Sequence, residues 1–162
     1  FQDKALLDTI DEAIAETGLD AKHLELEITE SMMMHNVDQA IEVMHQIRER
    51  GIELSIDDFG TGHSSFAYIK RFPIHSLKID QAFIRPMTPG SNEMALVEAM
   101  VSIGNKLNLV VIAEGVEEAE HVDFLKSVGC DLIQGYYYSK PLPTDGFDKL
   151  LLENKNLFAM TA

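Results

Sequence analysis

The sequence is poor in positive charge, has a single cysteine and lacks any long apolar run, and each shortage closes off a class of function. Its 162 residues carry 13 Lys and Arg against 27 Asp and Glu, a formal net charge of −14. Such a chain repels phosphate backbones and anionic lipid, which excludes sequence-independent binding to a nucleic-acid polymer and a polybasic membrane surface. Any phosphate-bearing ligand then needs a cation to mediate it. With Cys130 as the one cysteine there is no internal disulfide framework, and the residue reads as a small buried apolar group in a reducing compartment. No apolar run approaches the ~18 residues of a membrane span, and the opening FQDKALLDTI has neither the charge nor the apolar stretch of a signal peptide. The expected location is cytoplasmic. The first residue is not Met, which suggests a piece of something longer.

What is present is apolar material for one well-buried core, 46% of the residues, arranged in alternating periods. Leu6, Leu7, Ile10, Ala13 and Ile14 recur at helical spacing and stop at Gly18, predicting a helix over 3–17. LELEIT (24–29) reads as a strand, and Val37, Ala40, Ile41, Met44 and Ile47 predict a helix over 36–50. ELSID (53–57) is the next strand; FGTGHSS after it breaks the strand, and Ser64 or Ser65 caps a short helix to about Arg71. SLKID (76–80) is a third strand, followed by a loop and a helix over 92–107 that turns Met94, Val97, Val101 and Leu107 inward. LVVIAEG (109–115), the most hydrophobic strand, is expected at the centre of the sheet. A helix over 118–127, a strand DLIQGY (131–136) and a helix over 144–153 complete the order, with 154–162 as a tail.

Crossovers this short join neighbouring parallel strands, so the fold is α/β, either doubly wound or a TIM-type (β/α)₈ barrel. Polar residues decide. Every strand carries a functional group toward its carboxyl end: Glu27, Asp57 with Asp58, Lys78 with Asp80, Glu114, and Gln134. An open sheet gathers such groups at one switch point, whereas a barrel brings all its strand ends to one mouth. The expectation is therefore an incomplete barrel of about five parallel strands, with the remaining strands lying before Phe1.

Five carboxylates at one mouth cannot all remain ionised unaided. Two unit charges ~4 Å apart repel by roughly 4 kcal/mol at an effective dielectric of 20, and several such pairs exceed the net stability of a domain. Either some are protonated or cations sit among them, and a set of oxygens without His or Cys selects hard ions such as Mg²⁺, Mn²⁺ or Ca²⁺ over Zn²⁺. Two such ions ~3.5–4 Å apart serve in-line displacement at phosphorus. Lys78 is placed to hold a water or take its proton, and Gln134 to orient it. Each residue also has a plainer reading: a strand-end acid as a helix cap, Lys78 as a salt-bridge partner of Asp80 or Asp58, Met32 to Met34 as loop and packing material, Tyr136 to Tyr138 as wall and core. The six histidines are scattered and receive no role.

The stretches Glu27-Ile28-Thr29-Glu30-Ser31, Asp57-Asp58-Phe59-Gly60-Thr61-Gly62, Leu77-Lys78-Ile79-Asp80, Ala113-Glu114-Gly115-Val116-Glu117 and Gln134-Gly135-Tyr136 resemble, in order and approximate spacing, the EAL domain family. The resemblance implies a (β/α)₈ barrel with one reversed strand that uses Mg²⁺ or Mn²⁺ to hydrolyse cyclic di-GMP to linear pGpG. It implies Glu27, Asp57, Asp58 and Glu114 as metal ligands, with Asp80 a ligand or close neighbour. Lys78 then contacts the nucleophilic water, Gln134 supports it, and Glu30 and Glu117 stand behind the ligands, Glu30 holding the Asp57-Asp58-Phe59-Gly60-Thr61-Gly62 loop. The stretch Phe59 to Ser65, including Gly60, Thr61 and Gly62, resembles a mobile element that couples dimer contacts to metal binding, with His63 in place of the usual Tyr. Residues 1–153 correspond to the C-terminal two-thirds of such a barrel. The family's Glu-x-Leu and Asn-x-Ser motifs lie upstream of the chain, so this piece alone is expected to be inactive or nearly so while its parent is a phosphodiesterase. The rival expectations are a non-catalytic cyclic di-GMP receptor and a dimerising interaction module. The resemblance also implies upstream sensory or GGDEF domains and a parent that can be membrane-tethered.

Overall fold

The computed structural model describes residues 5–33, 36–62 and 66–152. The elements run α1 (Leu6–Thr17), β1 (Glu25–Thr29), α2 (Glu30–Met33), α3 (Val37–Glu49), β2 (Glu53–Phe59), α4 (Phe66–Ile69), β3 (Ser76–Ile79), α5 (Gln81–Ile84), α6 (Asn92–Lys106), β4 (Val110–Glu114), α7 (Ala119–Ser127), β5 (Leu132–Gln134) and α8 (Thr144–Leu152). The five parallel strands form one sheet in the order β1-β2-β3-β4-β5. A strand order without reversal has no switch point, which rules out the doubly wound alternative and agrees with five consecutive strands of a barrel. Among the described residues no helix is long and apolar enough to cross a membrane.

The chain divides into two compact units, the first ending at Lys78 and including Leu107–Leu109, the second formed by Ile79–Lys106 and the residues from Val110 onward. In the first, β1 and β2 pair in parallel, Glu27 opposite Ser55 and Thr29 opposite Asp57. α3 buries Ala40, Met44 and Ile47 along one face, and Asn36 caps its start by accepting from the Gln39 N–H at 3.4 Å. α1 ends where Gly18 takes φ 67 and donates its N–H to Ile14 O at 2.9 Å, a left-handed turn that side chains disfavour. Arg50 grips Asp11 of α1 with Nε and Nη2 at 2.7 and 2.8 Å, which holds the Asp11 carboxyl below its usual range.

In the second unit β4 and β5 pair in parallel, Glu114 opposite Gln134. α6 buries Val97, Met100, Val101 and Gly104, and lies so close to β4 that a Cβ on Gly104 would come within 2.3 Å of Val111 Cγ2. Cys130 is 6% exposed, its thiol 3.5 Å from Val111 O and 3.3 Å from Leu132 O. Burial pushes its pKa up to about 12. The folded thiol therefore stays protonated where an unfolded one ionises, and this residue's contribution to stability falls as pH rises from about 8.5 toward 12. At pH 8 a thiol reagent should label Cys130 only after denaturant unfolds the chain; rapid labelling of the native protein would contradict that burial.

Several expectations shift. Hydropathy placed 109–115 at the centre, but β3 stands in the middle of the order and buries all four of its residues, while β4 alternates half-buried and buried positions. Phe59 is the last residue of β2 and part of the core at 2% exposure, so the loop begins at Gly60 rather than Phe59. Ala13 of α1 is exposed, and Met94 and Leu107 are half-buried. α2 and α5 are helical turns that the periodicity did not show, and Met32 in α2 is 52% exposed rather than packed. Ser64, Ser65, His63 and Met34 lie outside the described residues.

Candidate active site

In the first unit three polar residues from three strands meet. Lys78 of β3 is 5% exposed, and its Nζ lies 2.6 Å from Glu27 Oε1 of β1 and 3.6 Å from Asp57 Oδ1 of β2. Strand alternation places Glu27, opposite Ser55, on the same face as Asp57 two residues further along β2. A buried ammonium is tolerated there because two carboxylates neutralise it; the Glu27 side chain is 51% and Asp57 22% exposed, so water still reaches the pair. Of the two plain partners expected for Lys78, Asp80 and Asp58, neither is the contact at 2.6 Å; that place belongs to Glu27. One step down β3, the Ser76 hydroxyl donates to Glu25 Oε1 at 2.6 Å. Asp57 Oδ1 is buried and, among the described residues, lacks a hydrogen-bond partner.

Asp58 has φ 55, a left-handed backbone at a non-glycine residue, which breaks the pleat just after Asp57. The turn that follows closes on Asp58 O, which accepts from the Thr61 N–H at 3.2 Å and from its hydroxyl at 2.8 Å. Glu30, 1% exposed at the start of α2, accepts from the Gly60 N–H at 3.1 Å through Oε2. A Cβ on Gly62 would stand 2.5 Å from Glu30 Oε1. The turn thus closes over a buried carboxylate, and the missing side chain at Gly62 leaves room for it. Gly62→Ala should displace Glu30 and cost about 1–3 kcal/mol in a urea titration; the cost should shrink in an E30A background, where the obstructing atoms are gone. Equal costs in both backgrounds would deny this coupling.

In the second unit Glu114 ends β4 and Gln134 ends β5 directly opposite it. Both line an open cavity of about 430 Å³ together with Glu117, Gly135, Tyr136, Arg85 and Lys140. Arg85 Nη2 pairs with Glu117 Oε1 at 3.0 Å, and Lys140 Nζ stands 5.6 Å from the Tyr136 ring centre. Tyr136 is 52% exposed, and Tyr137 and Tyr138 meet edge to face at 5.1 Å. Asp80 caps α5, its Oδ1 accepting from the Ala82 N–H at 2.8 Å, so the plain helix-cap reading holds for that oxygen. Gly115, at φ 70, turns the chain away from β4 with its Cα close against Gln81, whose Cβ would lie 2.4 Å from an added Cβ.

Within the first unit the structure brings Glu27, Asp57 and Lys78 together, and within the second Glu114, Glu117, Gln134, Gly135 and Tyr136. Among the described residues no three His, Cys, Asp or Glu side chains form a ready metal-holding group. The donor set of Glu27 and Asp57 nonetheless fits a hard cation, because it is all oxygen and includes the buried Asp57 Oδ1 without a hydrogen bond. Sequence reading missed Arg85, Gln81, Lys140 and His121. Lys140 and Arg85 are among only 13 basic residues, and that scarcity was the available signal for singling them out.

A match to the EAL domain covers residues 1–141. The chain belongs to the EAL domain family. It is 43% identical over 147 residues to the cyclic di-GMP phosphodiesterase NbdA of Pseudomonas aeruginosa, an alignment covering 91% of this chain and 19% of NbdA. The structure of the MucR phosphodiesterase from the same species, a complex with c-di-GMP, superposes with TM-score 0.87 at 39% identity, covering 90% of this chain and 59% of that one. The manganese/cy-diGMP complex of Klebsiella pneumoniae BlrP1 gives 0.79 at 31% identity, covering 86% and 36%. This EAL chain spans about a fifth of the length of the curated relatives it matches.

Proposed function

We propose that this chain contributes to metal-dependent hydrolysis of cyclic di-GMP to linear pGpG, and the observation that carries the reading is the buried Lys78 ammonium held between Glu27 and Asp57 in a chain of the EAL family. Relatives named as cyclic di-GMP phosphodiesterases, and neighbours whose structures contain cyclic di-GMP with manganese or calcium, support it. In the first unit Glu27, Asp57 and Asp58 would hold a divalent cation, Mg²⁺ or Mn²⁺; in the second, Asp80 and Glu114 are the candidates. When bound, that cation neutralises phosphodiester charge and acidifies a water. Lys78 holds the attacking water by donating to it, and the carboxylates beside it keep its ammonium placed. In the second unit Gln134 is the candidate for orienting a water, and Glu117 is held by Arg85; in the first, Glu30 fixes the turn after Asp58. Gly135 and Tyr136 form the substrate wall, and the parent protein works in the cytoplasm as a homodimer with sensory or GGDEF domains upstream of this chain.

The test is turnover of cyclic di-GMP by the gene product that carries this chain, with and without Mg²⁺ or Mn²⁺. Formation of pGpG that stops when a chelator is added supports the reading. Tight binding of cyclic di-GMP without turnover favours a receptor, and neither binding nor turnover overturns both.

A further inference from the structure

Away from these residues, α7 carries an imidazole buried with half of its hydrogen-bonding capacity unused. His121 is 5% exposed, and its Nε2 lies 3.2 Å from the carbonyl oxygen of Met87. A carbonyl only accepts, so Nε2 carries the ring proton and Nδ1 is an acceptor. Among the described residues nothing donates to Nδ1. A buried acceptor left without a donor is penalised, and native proteins resolve such cases with ordered water where there is room. Room exists: a cavity of about 30 Å³ is bordered by His121, Thr88 and Glu120 among the apolar side chains of Met87, Met94 and Phe124. A water needs about 10–15 Å³ of such space and two to four polar partners. The Thr88 N–H already donates to Ser91 Oγ at 3.2 Å and its carbonyl accepts from the Ser91 N–H at 2.9 Å, so Thr88 offers its hydroxyl.

We propose that this cavity is a binding site for one ordered water that donates to His121 Nδ1 and bonds the Thr88 hydroxyl. Imidazole and water together clasp the 85–91 connector to α7. The connector is then held at two points, His121 to Met87 inside and Arg85 to Glu117 outside. The site stands apart from the phosphodiesterase reading and does not depend on it.

Side-chain ¹⁵N NMR of the chain, with water-to-protein NOE measurement, tests it. The expected result is a neutral, Nε2-protonated His121 with a cross-peak from its ring to a long-lived water. H121Q keeps that water, because its amide donates to Met87 O and still presents an acceptor. H121L loses it, and exchange protection of the Met87 and Ser91 amides falls by about tenfold or more. An Nδ1-protonated ring, no water cross-peak in the unmodified chain, or a water that survives in H121L overturns the proposal. If H121L does not fold, the tautomer and cross-peak of the unmodified chain decide alone.

Discussion

Gly135→Ala prevents the second unit from reaching its native packing, a loss of at least about 3 kcal/mol. A Cβ at this position would lie 2.0 Å from Val116 O, 2.4 Å from Val116 N and 2.6 Å from Val116 C. All three are backbone atoms, so no rotamer change relieves the overlap. The backbone itself is pinned, since Val116 N–H donates to Gln134 O at 3.2 Å and Tyr137 N–H donates to Val116 O at 3.0 Å. Moving either strand end breaks both bonds and uncovers groups that then lack partners. Gly146→Ala is the internal control with the opposite sign. Gly146 lies in α8, where among the described residues an added Cβ would meet Leu142 Cβ at an ordinary 3.5 Å, so alanine there improves helix propensity and stabilises by about 0.5–1 kcal/mol. Urea unfolding of the two variants beside the unmodified chain reads both effects. A Gly135→Ala midpoint equal to that of the unmodified chain would show that the Val116 backbone does not approach so closely.

That contact also shows what a single sequence makes legible. The five-strand order follows from local signals, because apolar periodicity and stop residues such as Gly18 act within one turn or one strand. The strand-end acids were visible for the same reason: a charged residue closing an apolar run is a local contradiction. By contrast β3, the four residues SLKI, looked less buried than the strand at 110–114. Its burial depends on Glu25 and Glu27, each 51 residues away from the group it bonds, which satisfy Ser76 and Lys78. Hydropathy weighs residue types and cannot register a partner that distant. α2 and α5 escaped because four residues carry too little of a 3.6-residue period, although Asp80 ahead of Gln81 was a cap signal. His121 was dismissed as one of several scattered histidines; only the fold delivers the Met87 carbonyl to its Nε2. The need for glycine at 135 likewise arises from a chain segment nineteen residues earlier.

The other large effect is at Lys78. Lys78→Met removes the cation between Glu27 and Asp57 while keeping a side chain of similar length, and leaves two carboxylates facing each other around an apolar chain. Breaking a buried ion pair from one side costs about 3–5 kcal/mol. Because the Glu27 side chain is 51% exposed and Asp57 22%, solvent screens part of that, and about 2 kcal/mol is expected in metal-free buffer. Glu27→Gln alone costs less, since Lys78 keeps Asp57 at 3.6 Å and the glutamine is partly solvated. The double variant separates pairing from packing: a coupling energy indistinguishable from zero would mean that the 2.6 Å contact contributes nothing. Divalent cations then distinguish a structural lysine from a catalytic one. If the carboxylates form a cation site, Mg²⁺ or Mn²⁺ raises the melting temperature of Lys78→Met more than that of the unmodified chain, since the competing ammonium is gone. If Lys78 also handles the attacking water, the variant gene product loses about 10²–10⁴-fold in cyclic di-GMP turnover while it still binds metal. Full turnover in Lys78→Met would remove the lysine from the chemistry and leave it a counter-ion, and an unchanged melting temperature with metal would remove the carboxylates as its site.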